Sequence, residues 1–271
     1  MIEKKTIESG TGAICYFKNA PIHGRPTIIF LHGLSANHTT WVNIMERLAE
    51  KGYNTIAADI RGHGESDKTK ERSRYSLEIF SNDLELIAKN EKLEKFILVG
   101  YSFGGSIAID YAAKHPAQVA GLVLVSANYV SPFAYKHLGF LTPIIYWKLR
   151  ILAALLRWQR REHYYKYDHR SSSGYWHSTW IGLNTMPISV NFWMLALTLK
   201  FDFRKIIGNI TSPTLIIRAK SDPILSEAEA RDMARAMPKG EVIVSEHPSH
   251  IIASQSQEEL AEIIEKFMEK L

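Results

Sequence analysis

Short apolar runs punctuate the chain at regular intervals. They fall at 13–17, 27–31, 54–58, 96–99 and 122–125, and again at 214–217 and 242–244. Each is too short for a buried helix, and most are rich in Ile, Val, Leu or Phe, which predicts strands with both faces covered. Between them, 41–50, 77–88, 106–114, 227–236 and 258–270 place apolar residues three and four apart, the spacing of an amphipathic helix. The first of these helices is expected to stop at Gly52. Strand and helix in alternation predict an α/β protein with a mostly parallel sheet sandwiched between helices. Ligands of such sheets bind beyond the C-terminal ends of the strands.

The alternation breaks between 128 and 203. That stretch holds 17 of the 29 aromatic residues and five of the six tryptophans. Residues 136–170 carry eight Lys or Arg and two acids, whereas the whole chain has a net charge of only +5. The basic character is therefore local, and it comes without any nucleic-acid-binding motif, so nucleic acid is not an expected partner. At about 100° per residue, 144–161 reads as a helix with Arg150, Arg157 and Arg161 on one face. Ile145, Leu149, Leu152 and Leu156 fall on the other. The simpler expectation is a helix whose apolar face covers a pocket and whose arginines are solvated. A peripheral contact of the same helix with a lipid surface is the second.

The chemistry sits at the strand ends. Gly100-Tyr101-Ser102-Phe103-Gly104 follows directly on the run 96–99 and opens a helix near Phe103. A strand and a helix that meet there force Ser102 into a tight turn, with glycines allowing the close approach. Phe30-Leu31-His32-Gly33-Leu34 closes an earlier strand, and its loop can turn the Leu34 N–H toward Ser102. The Phe103 N–H would be a second donor of an oxyanion hole. Asp222 lies just past the strand at 214–217. His250 lies just past the strand at 241–245. Serine, aspartate and histidine in that order form one of the known triad arrangements.

Taken together, Leu31-His32-Gly33, Asp59-Ile60-Arg61-Gly62-His63-Gly64-Glu65-Ser66, the serine turn, Ser221-Asp222-Pro223 and the C-terminal histidine resemble the α/β-hydrolase superfamily over nearly the whole chain. The resemblance implies an eight-stranded, mostly parallel sheet flanked by helices, with a helical cap inserted after strand 6. The division would be core at 1–127, cap or lid at 128–203 and core again at 204–271. It also implies Ser102, Asp222 and His250 as catalytic residues. Some members carry the acid after the sixth strand; here that segment is Ser126-Ala127-Asn128, which leaves Asp222. Of two histidines, His250 precedes an apolar stretch and the final helix, as the family's does, while His247 precedes a proline. Ser249 departs from the glycine often found before that histidine. His32 is expected to brace its turn, and 59–66 to shape a loop. His163, His169 and His177 lack metal-ligand spacing, and no metal or cofactor is expected.

Serine at this turn disfavours the dehalogenase and epoxide hydrolase branches, which use aspartate. The expectation is therefore a carboxylic ester hydrolase, esterase- or lipase-like, acting on a small-molecule ester with an apolar acyl or alcohol group. A C–C bond hydrolase of the dienoate type and a non-catalytic ligand-binding protein on the same scaffold are the alternatives. The lone Cys15 excludes an intrachain disulfide, and Met1-Ile2-Glu3-Lys4-Lys5 lacks the apolar stretch of a signal peptide. A cytoplasmic protein is expected, with any membrane contact at the inner surface. No oligomeric state is implied.

Overall fold

The computed structural model describes residues 2–19, 24–131, 133, 139–158, 168 and 184–271. Eight strands form one sheet: β1 (Ile2–Glu8), β2 (Ala13–Asn19), β3 (Thr27–Leu31), β4 (Asn54–Ala58), β5 (Phe96–Tyr101), β6 (Val119–Val125), β7 (Thr214–Ala219) and β8 (Gly240–Ser245). Their order is β1-β2-β4-β3-β5-β6-β7-β8. β1 and β2 pair antiparallel, as do β2 and β4, and every other pair is parallel. Leu31 is level with Gly100, Tyr101 with Val125 and Val125 with Ile217. The C-terminal ends of the central strands thus open on one edge.

Among the described residues the helices are α1 (Val42–Glu50), α2 (Leu77–Asn90), α3 (Phe103–Lys114), α4 (Thr142–Leu155), α5 (Ile188–Thr198), α6 (Glu227–Ala236), α7 (Ile252–Gln255) and α8 (Gln257–Met268). Strand side chains alternate between two cores, as a pleated strand requires. Ile28, Phe30, Val99, Val123 and Leu215 pack on Ile44 and Leu48 of α1 and on Leu260, Ile264 and Phe267 of α8. Ile29, Leu31, Leu98, Leu122 and Ile216 face α2, α3 and α6 through Leu84, Ile107 and Met233. Covered on both sides, β3 and β5 are buried at every residue. This is why they read as continuous apolar runs.

β1 has no counterpart among the apolar runs. It is an edge strand whose residues Glu3, Lys4 and Lys5 alternate only weakly with Ile2, Thr6 and Ile7, and charge of this kind protects an edge from further pairing. Lys4 pairs with Glu65, fastening the edge to the loop after β4.

The stretch between β6 and β7 leaves and returns side by side. Val130 bridges Asp202, and the Phe203 N–H donates to the Tyr129 carbonyl at 2.9 Å. Within it α4 and α5 pack together through Tyr146, Leu149, Ala196 and Leu199. α4 ends at Leu155 and runs into a 3-10 turn, Leu156–Trp158; Arg161 and the rest of the expected helix lie outside the described residues, as do His163, His169 and His177. On the arginine face, Arg157 is exposed as expected and the departure is at Arg150. Arg150 is not simply solvated but lies over Trp193, 4.2 Å from the ring centre, and its Nη1 donates to the Tyr146 hydroxyl at 2.6 Å. Leu152, expected on the covered face, is 40% exposed. Guanidinium groups prefer aromatic faces to bulk water when several rings are within reach.

Candidate active site

Ser102 sits between β5 and α3 with φ 50° and ψ −113°, a region that non-glycine residues rarely occupy. The turn is fixed from both sides. The Ser102 N–H donates to the Val125 carbonyl of β6 at 2.9 Å, and the Ser102 carbonyl accepts from Gly105 N at 2.9 Å and Ser106 N at 3.2 Å. A Cβ on Gly100 would come within 2.6 Å of the Gly104 carbonyl, and one on Gly104 within 2.5 Å of the Leu31 and His32 carbonyls. Only glycine lets α3 start this close to β5 and β3.

Asp222 follows β7 and His250 follows β8. The two loops are joined by Lys220 N donating to the His247 carbonyl at 2.8 Å. His250 Nδ1 lies 3.0 and 3.1 Å from the two carboxylate oxygens of Asp222, and His250 Nε2 lies 3.0 Å from Ser102 Oγ. All of the Asp222 carboxylate is removed from water. Burial works against its charge, yet the hydrogen bond and charge of His250 hold the carboxyl below its usual range. The Ile224 N–H donates to the same carboxylate at 2.8 Å and acts in the same direction. His247 instead bonds within its own loop, its Nδ1 3.1 Å from the Ser249 carbonyl.

Leu34 and Phe103 both border the cavity that contains Ser102 and His250. Among the described residues neither backbone N–H donates to another group of the chain. His32 holds the loop that carries Leu34: its Nε2 accepts from Ile60 N at 3.0 Å, and its Nδ1 lies 2.7 Å from the Gly33 carbonyl. The buried Asp59 carboxylate accepts from His38 N at 2.7 Å and from Glu65 N at 2.7 Å, so 59–66 ties the loops after β3 and β4 together.

Three supports were not expected from the sequence. The Tyr101 hydroxyl donates to the His250 carbonyl at 3.1 Å. Asn191 of α5 donates through Nδ2 to Ser35 Oγ, which steadies the loop next to Leu34 from above. Asn128 lines the cavity while its Nδ2 donates to the Ile224 carbonyl at 3.0 Å and to Glu229 at 2.9 Å. The one sequence trace of this group is Asn191 itself, a polar residue inside the apolar stretch 188–197.

The cavity has a volume of about 390 Å³. Its floor is Ser102 and Phe103, and its walls include Ile145 and Leu149 of α4, Leu199 and Phe201. A wider groove of about 770 Å³ beside α1 and α8 is lined by residues such as Glu46, Arg47 and Glu258 and contains none of the three side chains above. Among the described residues no three His, Cys, Asp or Glu gather as a metal site would require.

Residues 26–256 match the alpha/beta hydrolase fold family. The chain belongs to the α/β-hydrolase superfamily. An AB hydrolase superfamily protein of Bacillus subtilis (strain 168) is 28% identical over 251 residues, covering 90% of this chain and 92% of that protein. The 2-(acetamidomethylene)succinate hydrolase of Mesorhizobium japonicum is 27% identical over 256 residues, covering 90% and 88%. The structure of an esterase from Exiguobacterium antarcticum superposes with a TM-score of 0.75 at 21% identity, covering 95% of this chain and 96% of that one, a likeness of fold.

Proposed function

We propose that the protein is a serine hydrolase that cleaves small-molecule carboxylic esters with an apolar acyl or alcohol group, through an acyl-enzyme. The observation that carries the reading is the unbroken chain from Asp222 through His250 to Ser102 Oγ, opening on an apolar cavity. In this reading residues 128–203 are the cap and the two flanking parts, 1–127 and 204–271, are the core.

A serine hydroxyl keeps its proton at neutral pH and is a poor nucleophile. His250 Nε2 takes the proton as Ser102 Oγ attacks the acyl carbon. Asp222 holds the imidazole with Nδ1–H toward itself and stabilises the imidazolium that forms. The Leu34 and Phe103 N–H groups receive the negative charge on the carbonyl oxygen, each worth about 3 kcal/mol in sites of this type. The N-terminus of α3 adds its dipole at the same point. The tetrahedral intermediate collapses, the ester C–O bond breaks and His250 returns the proton to the leaving alcohol. Water deprotonated by His250 then releases the acid and restores Ser102.

The dienoate alternative calls for a cation to hold a substrate carboxylate. The Asn128 amide, which lines the cavity, is already engaged by the Ile224 carbonyl and Glu229, and the ester reading needs no such cation. A fluorophosphonate probe and p-nitrophenyl esters test it directly. Ser102→Ala is expected to abolish labelling and to lower ester turnover roughly 10⁴-fold or more. His250→Ala should cost a comparable amount and His247→Ala little. Labelling that persists in Ser102→Ala, or equal losses at the two histidines, would refute the assignment. A wild-type protein that binds esters without turning them over would point to the ligand-binding alternative.

A further inference from the structure

The outward face of α4 is largely apolar, interrupted by the exposed Lys148. Phe140, Ile144, Trp147, Ile151, Leu155 and Trp158 recur three or four residues apart and are between 52 and 77% exposed. A surface helix ordinarily turns polar residues outward. Here the inner face is apolar as well, with Tyr146 and Ala153 buried, and the arginines occupy the seam between the two faces. At that seam two guanidinium groups share one ring, and Arg157 is near enough for its charge to reach Arg72. Arg72, in the turn before α2, stands 5.2 Å from the centre of the Trp193 ring, over which Arg150 also lies. Arg72 Nη2 is buried without a hydrogen-bond partner. Burial first, then the charges of Arg150 and Arg157, depress its pKa. Among the described residues none of the three arginines has a carboxylate partner. The sequence from Lys136 through Arg161 contains six Lys or Arg and no Asp or Glu.

We propose that this face docks on the surface of an anionic phospholipid bilayer, its apolar stripe entering the acyl boundary and the Arg72, Arg150 and Arg157 cluster receiving a lipid phosphate. Charge complementarity selects this occupant. Cations gathered without an anion repel one another, and a phosphate in their midst removes that cost. A second copy of the chain would set the same cluster against itself across a two-fold axis. Trp147 and Trp158 stand on the stripe, where indole rings favour the boundary between headgroups and chains.

The helix lies on the bilayer rather than across it. Gly139–Trp158 is 20 residues long with a mean hydropathy of 1.4, which is sufficient by length and composition alone. But β6 before it and β7 after it are neighbours in one sheet, so the chain would have to cross twice. α5, with 11 residues, is roughly 16 Å long against a hydrocarbon core of about 30 Å. An in-plane helix with aromatic and basic residues at its boundary is the arrangement expected of an interfacial anchor. The opposite side of the same helix places Ile145 and Leu149 in the cavity above Ser102, so docking would set that cavity beside a source of apolar esters.

Flotation of the full chain with phosphatidylglycerol vesicles, against phosphatidylcholine vesicles, tests the proposal. Binding is expected on the anionic vesicles at low salt and should weaken as salt rises. The double variant Ile151→Ser/Leu155→Ser should lose at least about tenfold in vesicle affinity, and so should Arg72→Gln/Arg157→Gln. Thermal unfolding checks that both remain folded, and Trp158→Ser, beyond the end of α4, carries the same test if either does not. Wild-type protein left unbound at low salt, or variants that bind as it does, would overturn the proposal. So would light scattering that shows a dimer broken by Ile151→Ser/Leu155→Ser. Flotation reads docking without turnover, so its failure leaves the hydrolase reading intact, and an inert Ser102 leaves the docking intact.

Discussion

Ser102 holds a backbone conformation that costs about 1–3 kcal/mol and is sustained only because its neighbours over-determine it. β6 takes its N–H, α3 takes its carbonyl, and the hydroxyl is left facing His250 Nε2. His63 shows a different strain. It is fully buried, its Nδ1 lies 3.2 Å from the Arg61 carbonyl, and its Nε2 has no partner. Burial pushes its pKa down to about 4. Because the folded value lies below the ordinary value near 6.5, the unfolded chain binds the proton more readily between the two. The stability that this neutral imidazole allows is complete above pH 6.5 and is lost as pH falls toward 4. By pH 5 the loss should reach about 2 kcal/mol. Urea unfolding at pH 7 and pH 5 measures it, and His63→Asn should flatten the dependence in that window. An unchanged slope in the variant would assign the effect to another group.

At the scale of elements, the approach of α3 to β5 is the most demanding contact. Gly100→Ala puts a methyl group against the backbone of Gly104 and Gly105, where nothing can rotate aside. A loss of about 1–3 kcal/mol in urea unfolding is expected, together with slower labelling of Ser102 as the turn is displaced. Wild-type stability and labelling would mean that the two elements separate freely. The elements of the core were legible in the sequence for a physical reason. A strand covered on both faces has no choice but to be apolar, and a helix on a sheet must repeat every three to four residues. β1 was not legible, because an edge strand facing water has little to bury. The two-sided character of α4 was also hidden. Periodicity separates one apolar face from one polar face, and here Ile145 and Leu149 point in while Ile151 and Leu155 point out.

Across the whole molecule, residues more than 140 positions apart meet at one edge of the sheet. Ser102, Asp222 and His250 could be singled out because each follows a strand, and strands in a parallel sheet end together. Tyr101 could not, since a single hydroxyl reaching across the fold leaves no repeating trace, and Asn191 left only the trace of a polar residue in an apolar stretch. α4 and α5 supply much of the cavity wall, so they set what fits above Ser102. Leu149→Trp should shift the preferred p-nitrophenyl ester toward shorter acyl chains, whereas Leu155→Trp, on the exposed side, should leave the profile in place. A panel of esters of graded length reads both, and an unmoved optimum in Leu149→Trp would place the acyl chain elsewhere.

The bridge between Val130 and Asp202 gives the molecule a seam. Outside it lie the strand ends that carry Ser102, Asp222 and His250; inside it lie α4 and α5, which supply much of the cavity wall. Because the two margins of the seam already touch, the enclosed segment can lengthen, shorten or be exchanged over evolutionary time without asking any strand to move, and diet can change while the machine stays the same.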